Sequence, residues 1–199
     1  MLYSLAKVVL EIFVAIFFKV EVVGNNHIPD GKPFIIACNH TSNFDAVMVM
    51  AKTKNRKIHF LAKKELFSNK FIGALLERSY AIPIDREKND LRAIKRCLKV
   101  LKQNEVLGIF PEGTRVKNGE DEEAKLGIGM FAVMTNTPVI PVSIYAQKGY
   151  RIFSKISITY HEPYHVPAAI TQNKDKTRRN DGFRQVADDV MNIIRKGQR

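Results

Sequence analysis

The chain has 199 residues, 45% of them hydrophobic, and a formal net charge of +12 at pH 7. This length fits one domain, and this charge predicts anionic partners such as nucleic acid, an acidic membrane surface or a phosphate-bearing substrate. Tryptophan is absent and the aromatic residues form no RNA-binding motif, which disfavours nucleic acid, while two cysteines without CxxC spacing predict buried thiols in a reducing compartment.

Residues 1–19 predict an amphipathic helix that associates with a membrane. Ser4, Lys7 and Glu11 recur at helical spacing and form a thin polar stripe on an otherwise apolar segment. Glu11 interrupts an apolar run that is already shorter than the roughly 20 residues a bilayer span needs, and no signal-peptide cleavage site follows. We therefore expect the helix to lie in the membrane interface, with a buried core or dimer helix as the alternative.

Apolar strands then alternate with amphipathic helices, which predicts an α/β domain over residues 20–199. The expected strands cover residues 20–23, 34–38, 57–62, 80–84, 106–110, 138–145 and part of 152–161. The expected helices cover residues 46–52, 65–78, 89–103, 128–135 and 182–196. No repeat or linker is visible, so we expect a single domain with a mixed, largely parallel sheet flanked by helices.

Finer features of these elements are also predicted. Asn89 or Asp90 caps the third of the expected helices. Residues 118–123 and 171–181 are polar and are expected to form loops. Pro141 inside a strand indicates an edge position or a bulge, because proline cannot donate to the ladder.

Reactive side chains follow three of the expected strands. The three groups are His40 with Asp45, Asp85 with Arg86, and Glu112 with Thr114 and Arg115. If these strands run in one direction, all three groups meet at the carboxyl edge of the sheet, where open α/β sheets bind their ligands.

The residue types at this edge predict an acyl-transfer site. A histidine can accept a proton near neutral pH, and a carboxylate on one ring nitrogen leaves the other free to act as the base. Arg86 and Arg115 match phosphate oxygens, and Lys125 adds a further charge. No glycine-rich phosphate loop is present, which disfavours a nucleoside triphosphate, and Pro163 between His161 and His165 disfavours a zinc site, so we expect no metal.

Four segments resemble the ordered motifs of the glycerolipid acyltransferases. Residues 39–45, Asn-His-Thr-Ser-Asn-Phe-Asp, contain their His-x4-Asp pattern, and residues 82–86, Ile-Pro-Ile-Asp-Arg, resemble their second block. Residues 110–115, Phe-Pro-Glu-Gly-Thr-Arg, are close to a literal copy of the third, and residues 139–142, Val-Ile-Pro-Val, resemble the fourth. Each motif is weak alone, with the exception of the third, but the ordered set is specific.

The resemblance implies a direct acyl transfer without a covalent enzyme intermediate. A fatty acyl group would pass from acyl-CoA or acyl-carrier protein, with no other cofactor, to the free hydroxyl of 1-acylglycerol 3-phosphate, giving phosphatidic acid. His40 would be the base and Asp45 its orienting partner. The substrate-binding residues would be Arg86, Glu112, Gly113, Thr114, Arg115 and Lys125, with the phosphate on the cations and Glu112 and Gly113 shaping the acceptor or oxyanion region. The enzyme would work as a peripheral or monotopic protein at the cytoplasmic face of the cell membrane.

Three alternatives stay open at this point. Another acceptor within the family is one: glycerol 3-phosphate, another lysophospholipid or an acylated amino acid. A serine hydrolase using Ser42 is disfavoured because no G-x-S-x-G elbow is present. A non-catalytic, basic lipid-binding protein is the third, but it would not explain why His40, Asp45, Arg86 and Glu112 occur together.

Overall fold

A computed structural model describes residues 2–53, 56–86, 88, 90–116, 123–172 and 175–198. The helices of this part of the chain are α1 (Leu2–Phe17), α2 (Phe44–Lys52), α3 (Lys70–Arg78), α4 (Leu91–Lys102), α5 (Gly127–Thr135), α6 (Ala168–Thr171) and α7 (Lys176–Lys196). The strands are β1 (Lys19–Val23), β2 (Phe34–Cys38), β3 (Ile58–Lys63), β4 (Ile82–Ile84), β5 (Val106–Ile109), β6 (Val139–Ala146) and β7 (Lys155–Tyr160).

The described strands form one seven-stranded sheet in the order β1-β7-β6-β2-β5-β3-β4. Every neighbouring pair from β6 to β4 is parallel, whereas β7 runs antiparallel to β6 and carries β1 parallel to itself. The predicted single domain with a mixed, largely parallel sheet is therefore confirmed. Because β2, β4 and β5 share one direction, the three groups of reactive residues leave the sheet at the same edge, as the strand pattern required.

Helices cover both faces of this sheet. Side chains of a strand alternate between faces, so Ile35 and Ala37 of β2 face a cluster with α4, α5 and α7, while Ile36 and Cys38 face a cluster with α1 and α2. All five residues of β2 are buried, which explains why this strand is a continuous apolar run rather than an alternating one. The central strand that precedes the candidate site is thus fixed from both sides.

Helix α1 packs with Lys7 and Val14 inward and an apolar side outward. Val14 is fully buried, and the buried Lys7 ammonium donates to the Thr53 carbonyl at the end of α2 over 2.6 Å. Burial lowers the pKa of Lys7, and Glu11 at 3.6 Å opposes that shift. Ile12 and Ile16 on the other side are more than half exposed. In the part of the chain that the structure describes, no helix has the length and apolar character to cross a bilayer.

The structure corrects several expected boundaries. The helix expected over residues 65–78 is a 3₁₀ segment, Lys64–Ser68, followed by α3, because Asn69 caps α3 and interrupts the earlier turn. Residues 171–181 are not all loop, since α7 already begins at Lys176. Asp90 caps α4 by accepting from Arg92 and Ala93, whereas the other candidate, Asn89, and residues 118–122 of the expected loop lie outside the described residues.

Pro141 lies in an interior strand, so the expectation of an edge position is wrong. Its missing donor is tolerated because the regular ladder with β7 ends at the pair Val142–Tyr160. A separate bridge pairs Val139 with Tyr164, so the three residue steps from Val139 to Val142 match the four steps from Tyr160 to Tyr164. Between these two pairs, the Pro141 carbonyl accepts from the His161 N–H. This one-residue offset is the irregularity that the proline predicted as a bulge.

Candidate active site

The segment from Asn39 to Asp45 joins the end of β2 to the start of α2. Asn39 is fully buried, and its amide both donates to the Ile144 carbonyl and accepts from the Ile144 N–H, at 2.9 and 2.7 Å. It therefore continues the pairing of β2 with β6 through a side chain after the backbone has turned away. This contact determines where β2 ends and where the segment that carries His40 starts.

Asp45 lies in the first turn of α2 and is fully buried. Its Oδ2 accepts from the backbone N–H groups of Thr41 and Ser42, both at 2.7 Å, and faces Nδ1 of His40 at 3.1 Å. The carboxylate thus folds back over the loop that precedes its own helix, where the amino end of the helix also favours a negative charge. Since an ionised carboxylate only accepts, the proton of His40 lies on Nδ1 and leaves Nε2 as the basic nitrogen.

The backbone of His40 is held by the loop that follows β5. The His40 N–H donates to Oε2 of Glu112 over 2.7 Å, and the His40 carbonyl accepts from the Val116 N–H over 2.8 Å. Glu112 is almost completely buried. The imidazole also stacks on the Phe110 ring, with centroids 3.9 Å apart and planes 18° apart. We call His40, Asp45 and Glu112, together with these contacts, the base side.

The other half of the site, which we call the anion side, consists of Arg86, Arg115 and Lys125. All three side chains are exposed, and Arg86 and Arg115 lie close enough to influence each other. Partial burial lowers the pKa of Arg86, Glu65 opposes that shift, and the charge of Arg115 adds to it. An anion that binds between these two cations offsets their mutual repulsion.

Lys125 reaches this edge by packing over the loop after β5. Its backbone N–H donates to the Pro111 carbonyl over 2.8 Å. Gly113 has φ +76°, and a Cβ there would lie 3.1 Å from Cγ of Lys125. The backbone conformation therefore favours glycine, and a side chain there would also press against the lysine stem that crosses it. Thr114 is exposed between Gly113 and Arg115.

The turn before α4 supports the anion side. Asp90 accepts from the Asp85 N–H through Oδ2 while it caps α4 through Oδ1. These bonds, the one to Ala93 first, lower the pKa of Asp90. One carboxylate consequently anchors both ends of the turn that carries Arg86.

Two other candidate residues have structural partners. The Ser42 hydroxyl accepts from the Phe44 N–H at 3.2 Å, at the start of α2. His161 pairs through Nε2 with the Ser143 hydroxyl at 2.7 Å, and that hydroxyl donates to the Ile194 carbonyl of α7. Both groups thus stabilise local structure. In the described residues, no cluster of three or more His, Cys, Asp or Glu side chains is placed to hold a metal ion.

The sequence patterns missed three residues of the base side. Tyr150 donates its hydroxyl to Oδ1 of Asp45, Asn39 fixes the end of β2, and Phe110 stacks on His40. Asn39 and Phe110 lie inside two of the recognised motifs, so the motifs contained a signal for them. Tyr150 is 105 residues from Asp45 in an irregular segment between β6 and β7, and no local pattern marks it.

Comparison with known proteins agrees with this geometry. A family model described as acyltransferase matches residues 19–145. A 1-acyl-sn-glycerol-3-phosphate acyltransferase of Bacillus subtilis is 34% identical over 167 residues, which are 82% of this chain and 83% of that protein. A chloroplastic 1-acyl-sn-glycerol-3-phosphate acyltransferase of Arabidopsis thaliana is 26% identical over 82% of this chain, which spans about half (48%) of the plant protein.

A solved structure shares the fold. The crystal structure of the 1-acyl-sn-glycerophosphate acyltransferase PlsC from Thermotoga maritima superimposes with a TM-score of 0.70 and covers 99% of this chain and 82% of its own. At 23% sequence identity, this likeness supports the architecture alone. The membership of the chain rests on the family model and the bacterial relative.

Proposed function

Since this chain belongs to the acyltransferase family and is an O-acyltransferase, we propose that it acylates the free hydroxyl of 1-acylglycerol 3-phosphate to give phosphatidic acid. The donor is a fatty acyl thioester, either acyl-CoA or acyl-carrier protein. The observation that carries this proposal is the part-buried His40–Asp45 pair at the same sheet edge as two exposed, mutually repelling arginines. A hydroxyl and a phosphate on one acceptor match these two halves.

The base side supports a direct acyl transfer in which His40 first accepts one proton and then returns it. Nε2 of His40 takes the proton of the acceptor hydroxyl while its oxygen attacks the thioester carbonyl. The tetrahedral intermediate then collapses, the carbon–sulfur bond breaks, and the departing thiolate takes the proton from the imidazolium. Asp45 holds the tautomer and stabilises the imidazolium, and such general-base help contributes about 10²–10⁴ in rate.

The anion side supports recognition of the acceptor phosphate. Arg86 and Arg115 offer planar forks of donors, and Lys125 adds a point charge. Arg115 is next to Val116, whose N–H holds the His40 carbonyl. Binding of the phosphate and alignment of the base are therefore connected through two adjacent residues of one loop.

The function is tested by an acyl-transfer assay with 1-acylglycerol 3-phosphate and each of the two donors. We expect phosphatidic acid with at least one donor and none with the His40→Ala variant. Glycerol 3-phosphate, other lysophospholipids and acylated amino acids serve as competing acceptors. A higher kcat/KM with any of these would replace the proposed acceptor, and lipid binding without transfer to any acceptor would contradict an enzymatic role.

We also propose that the enzyme sits on a membrane through α1, facing the cytoplasm. The outward side of α1 carries Val9, Ile12 and Ile16, which are 60%, 54% and 57% exposed, and the net charge of +12 favours anionic lipid. The two free, buried cysteines fit a reducing compartment. The predicted boundary between a membrane-association helix, residues 1–19, and the domain 20–199 stays a prediction, since α1 also packs on α2.

Vesicle binding tests this membrane contact. We expect the double variant Ile12→Ser with Ile16→Ser to bind vesicles of phosphatidylcholine and phosphatidylglycerol about tenfold or more weakly, because each side chain loses apolar area that the lipid would cover. The matched control is Leu91→Ser with Met134→Ser, on α4 and α5 at the opposite face of the sheet, which are 63% and 48% exposed. Equal binding by the two double variants in co-sedimentation would contradict the placement of α1.

A further inference from the structure

We propose that Tyr150 is a positioning residue of the reaction, which orients Asp45 towards His40 and moderates the basicity of the imidazole through its hydrogen bond to Oδ1. Neither the family motifs nor the proposed mechanism involves this residue. The inference rests on the proposed role of His40 as the base. It extends the pair into a chain of three side chains, from Tyr150 through Asp45 to His40.

The two oxygens of Asp45 have separate partners. Oδ2 faces Thr41 N–H, Ser42 N–H and the His40 ring, whereas within the described residues Oδ1 has Tyr150 as its donor. Rotation of the carboxylate would break both sets of bonds at once. Tyr150 consequently fixes the carboxylate plane from the side opposite to His40.

The ring of Tyr150 is itself held by aromatic contacts. It stacks on Phe44 at 5.7 Å with planes 25° apart, and it meets the edge of Phe18 at 6.2 Å. The same segment is attached to the end of α1, where the Phe153 N–H donates to the Phe17 carbonyl over 2.7 Å. The phenol therefore has one direction in which to point, and that direction is Asp45.

The protonation state of the phenol suits a permanent donor. Burial, followed by the charge of Asp45, raises the pKa of Tyr150 far above its ordinary value. The hydroxyl then keeps its proton at every pH at which the enzyme is assayed. A donor of constant charge can spread the negative charge of Asp45 without taking part in proton transfer.

Within the described residues, the titratable groups near His40 and Asp45 come from four parts of the fold, and Tyr150 donates a hydrogen bond to Asp45 through its hydroxyl. Cys38 ends β2, Asp45 begins α2, Glu112 follows β5, and Tyr150 follows β6. Burial raises the pKa of Cys38, and the charges of Asp45 and Glu112 raise it further, so this thiol stays neutral. Loss of the Tyr150 hydroxyl therefore leaves more negative charge on Asp45 for the His40 imidazolium to meet, and the midpoint of its titration moves up.

The test is Tyr150→Phe, followed by NMR titration of the His40 ring in the absence of substrate. We expect the midpoint of the His40 signal to rise by about 0.5–1 pH unit, because Asp45 without the phenol keeps more negative charge and stabilises the imidazolium more strongly. In the assay, the acidic limb of the kcat/KM profile should move by the same amount. The kcat should fall roughly tenfold with the acceptor KM unchanged, because orientation and not binding is lost.

Two further variants of the chain keep the inference falsifiable. Tyr160→Phe removes another buried hydroxyl, which pairs with Thr53 at 3.0 Å, and it should lower the melting temperature without moving the His40 midpoint. A ring-fluorinated tyrosine at position 150 keeps the shape and donates more strongly, so it should move the midpoint down even if Tyr150→Phe does not fold. An unchanged midpoint in a folded Tyr150 variant would overturn the inference. Because the titration needs no substrate, this result stands apart from failure to find the proposed acyl transfer.

Discussion

On the base side, His40 is held at its ring, its N–H and its carbonyl, and the Asp45 carboxylate beside it is completely shielded from water. On the anion side, Arg86, Arg115 and Lys125 are exposed, and the first two repel each other. The two halves of the site lie on the same sheet edge, yet one is closed and internally satisfied while the other is open and charged.

This difference follows from what each half has to do. A general base must stand within hydrogen-bonding distance of one proton, so small displacements are costly and dense support is favoured. Cations that bind a phosphate gain most when the charge between them is supplied by the ligand itself. Changes on the base side should therefore reduce kcat for every acceptor, whereas changes on the anion side should affect the KM of phosphate-bearing acceptors.

After His40→Ala, the largest effect is expected from Asp45→Asn. The amide keeps the size of the side chain but has one oxygen, so it cannot serve the N–H groups of Thr41 and Ser42, the His40 ring and Tyr150 together. We expect kcat to fall by about 10²–10⁴ with every acceptor that the enzyme accepts. Steady-state kinetics measure the loss, and circular dichroism with thermal unfolding confirms that the variant is folded. A kcat within a factor of ten of the wild type would remove Asp45 from the mechanism.

A smaller effect is expected from Glu112, and it separates two possible roles. Glu112→Ala leaves the buried N–H of His40 without its acceptor, which costs about 1–3 kcal/mol of stability. The displacement of His40 that follows should lower kcat by about 100-fold. Glu112→Gln retains an oxygen for the same bond, so it should recover most of the kcat. If both variants lose equal activity at unchanged stability, the charge of Glu112 acts on the substrate rather than on the His40 backbone.

The sequence predicted those parts of this arrangement that depend on short spacing or on strand direction. His40 and Asp45 belong to one strand–helix turn, so their spacing already placed them together. Arg86 and Arg115 follow different strands, and their placement at one edge needed only that β4 and β5 run the same way, as their parallel pairings with β3 require. The polarity of the sheet supplied that condition, because β2, β3, β4 and β5 are each followed by a helix that returns to the opposite edge.

Other parts depended on packing that no local pattern contains. The pairing of Tyr150 with Asp45 results from the folding of a distant irregular segment onto α2. The polar residues of α1 were visible in the sequence, but the direction in which Lys7 points was not. Lys7 faces inward because the carbonyl of the buried Thr53, at the end of α2, accepts a hydrogen bond from it. The interior position of Pro141 was likewise hidden, since it depends on where the ladder with β7 ends.

The smallest effect is expected from Arg86→Ala, and it tests the open half directly. A charge-assisted hydrogen bond at an exposed site is worth about 1.5 kcal/mol, so the KM for 1-acylglycerol 3-phosphate should rise about tenfold while kcat stays within a factor of two or so. Arg178→Ala removes the same charge from an exposed position on α7 and should leave both constants unchanged. A monoacylglycerol without phosphate provides the second control, because its KM should not respond to Arg86→Ala. If kcat falls equally with both acceptors, Arg86 supports the base side, and the division of the site into a closed base side and an open anion side is wrong.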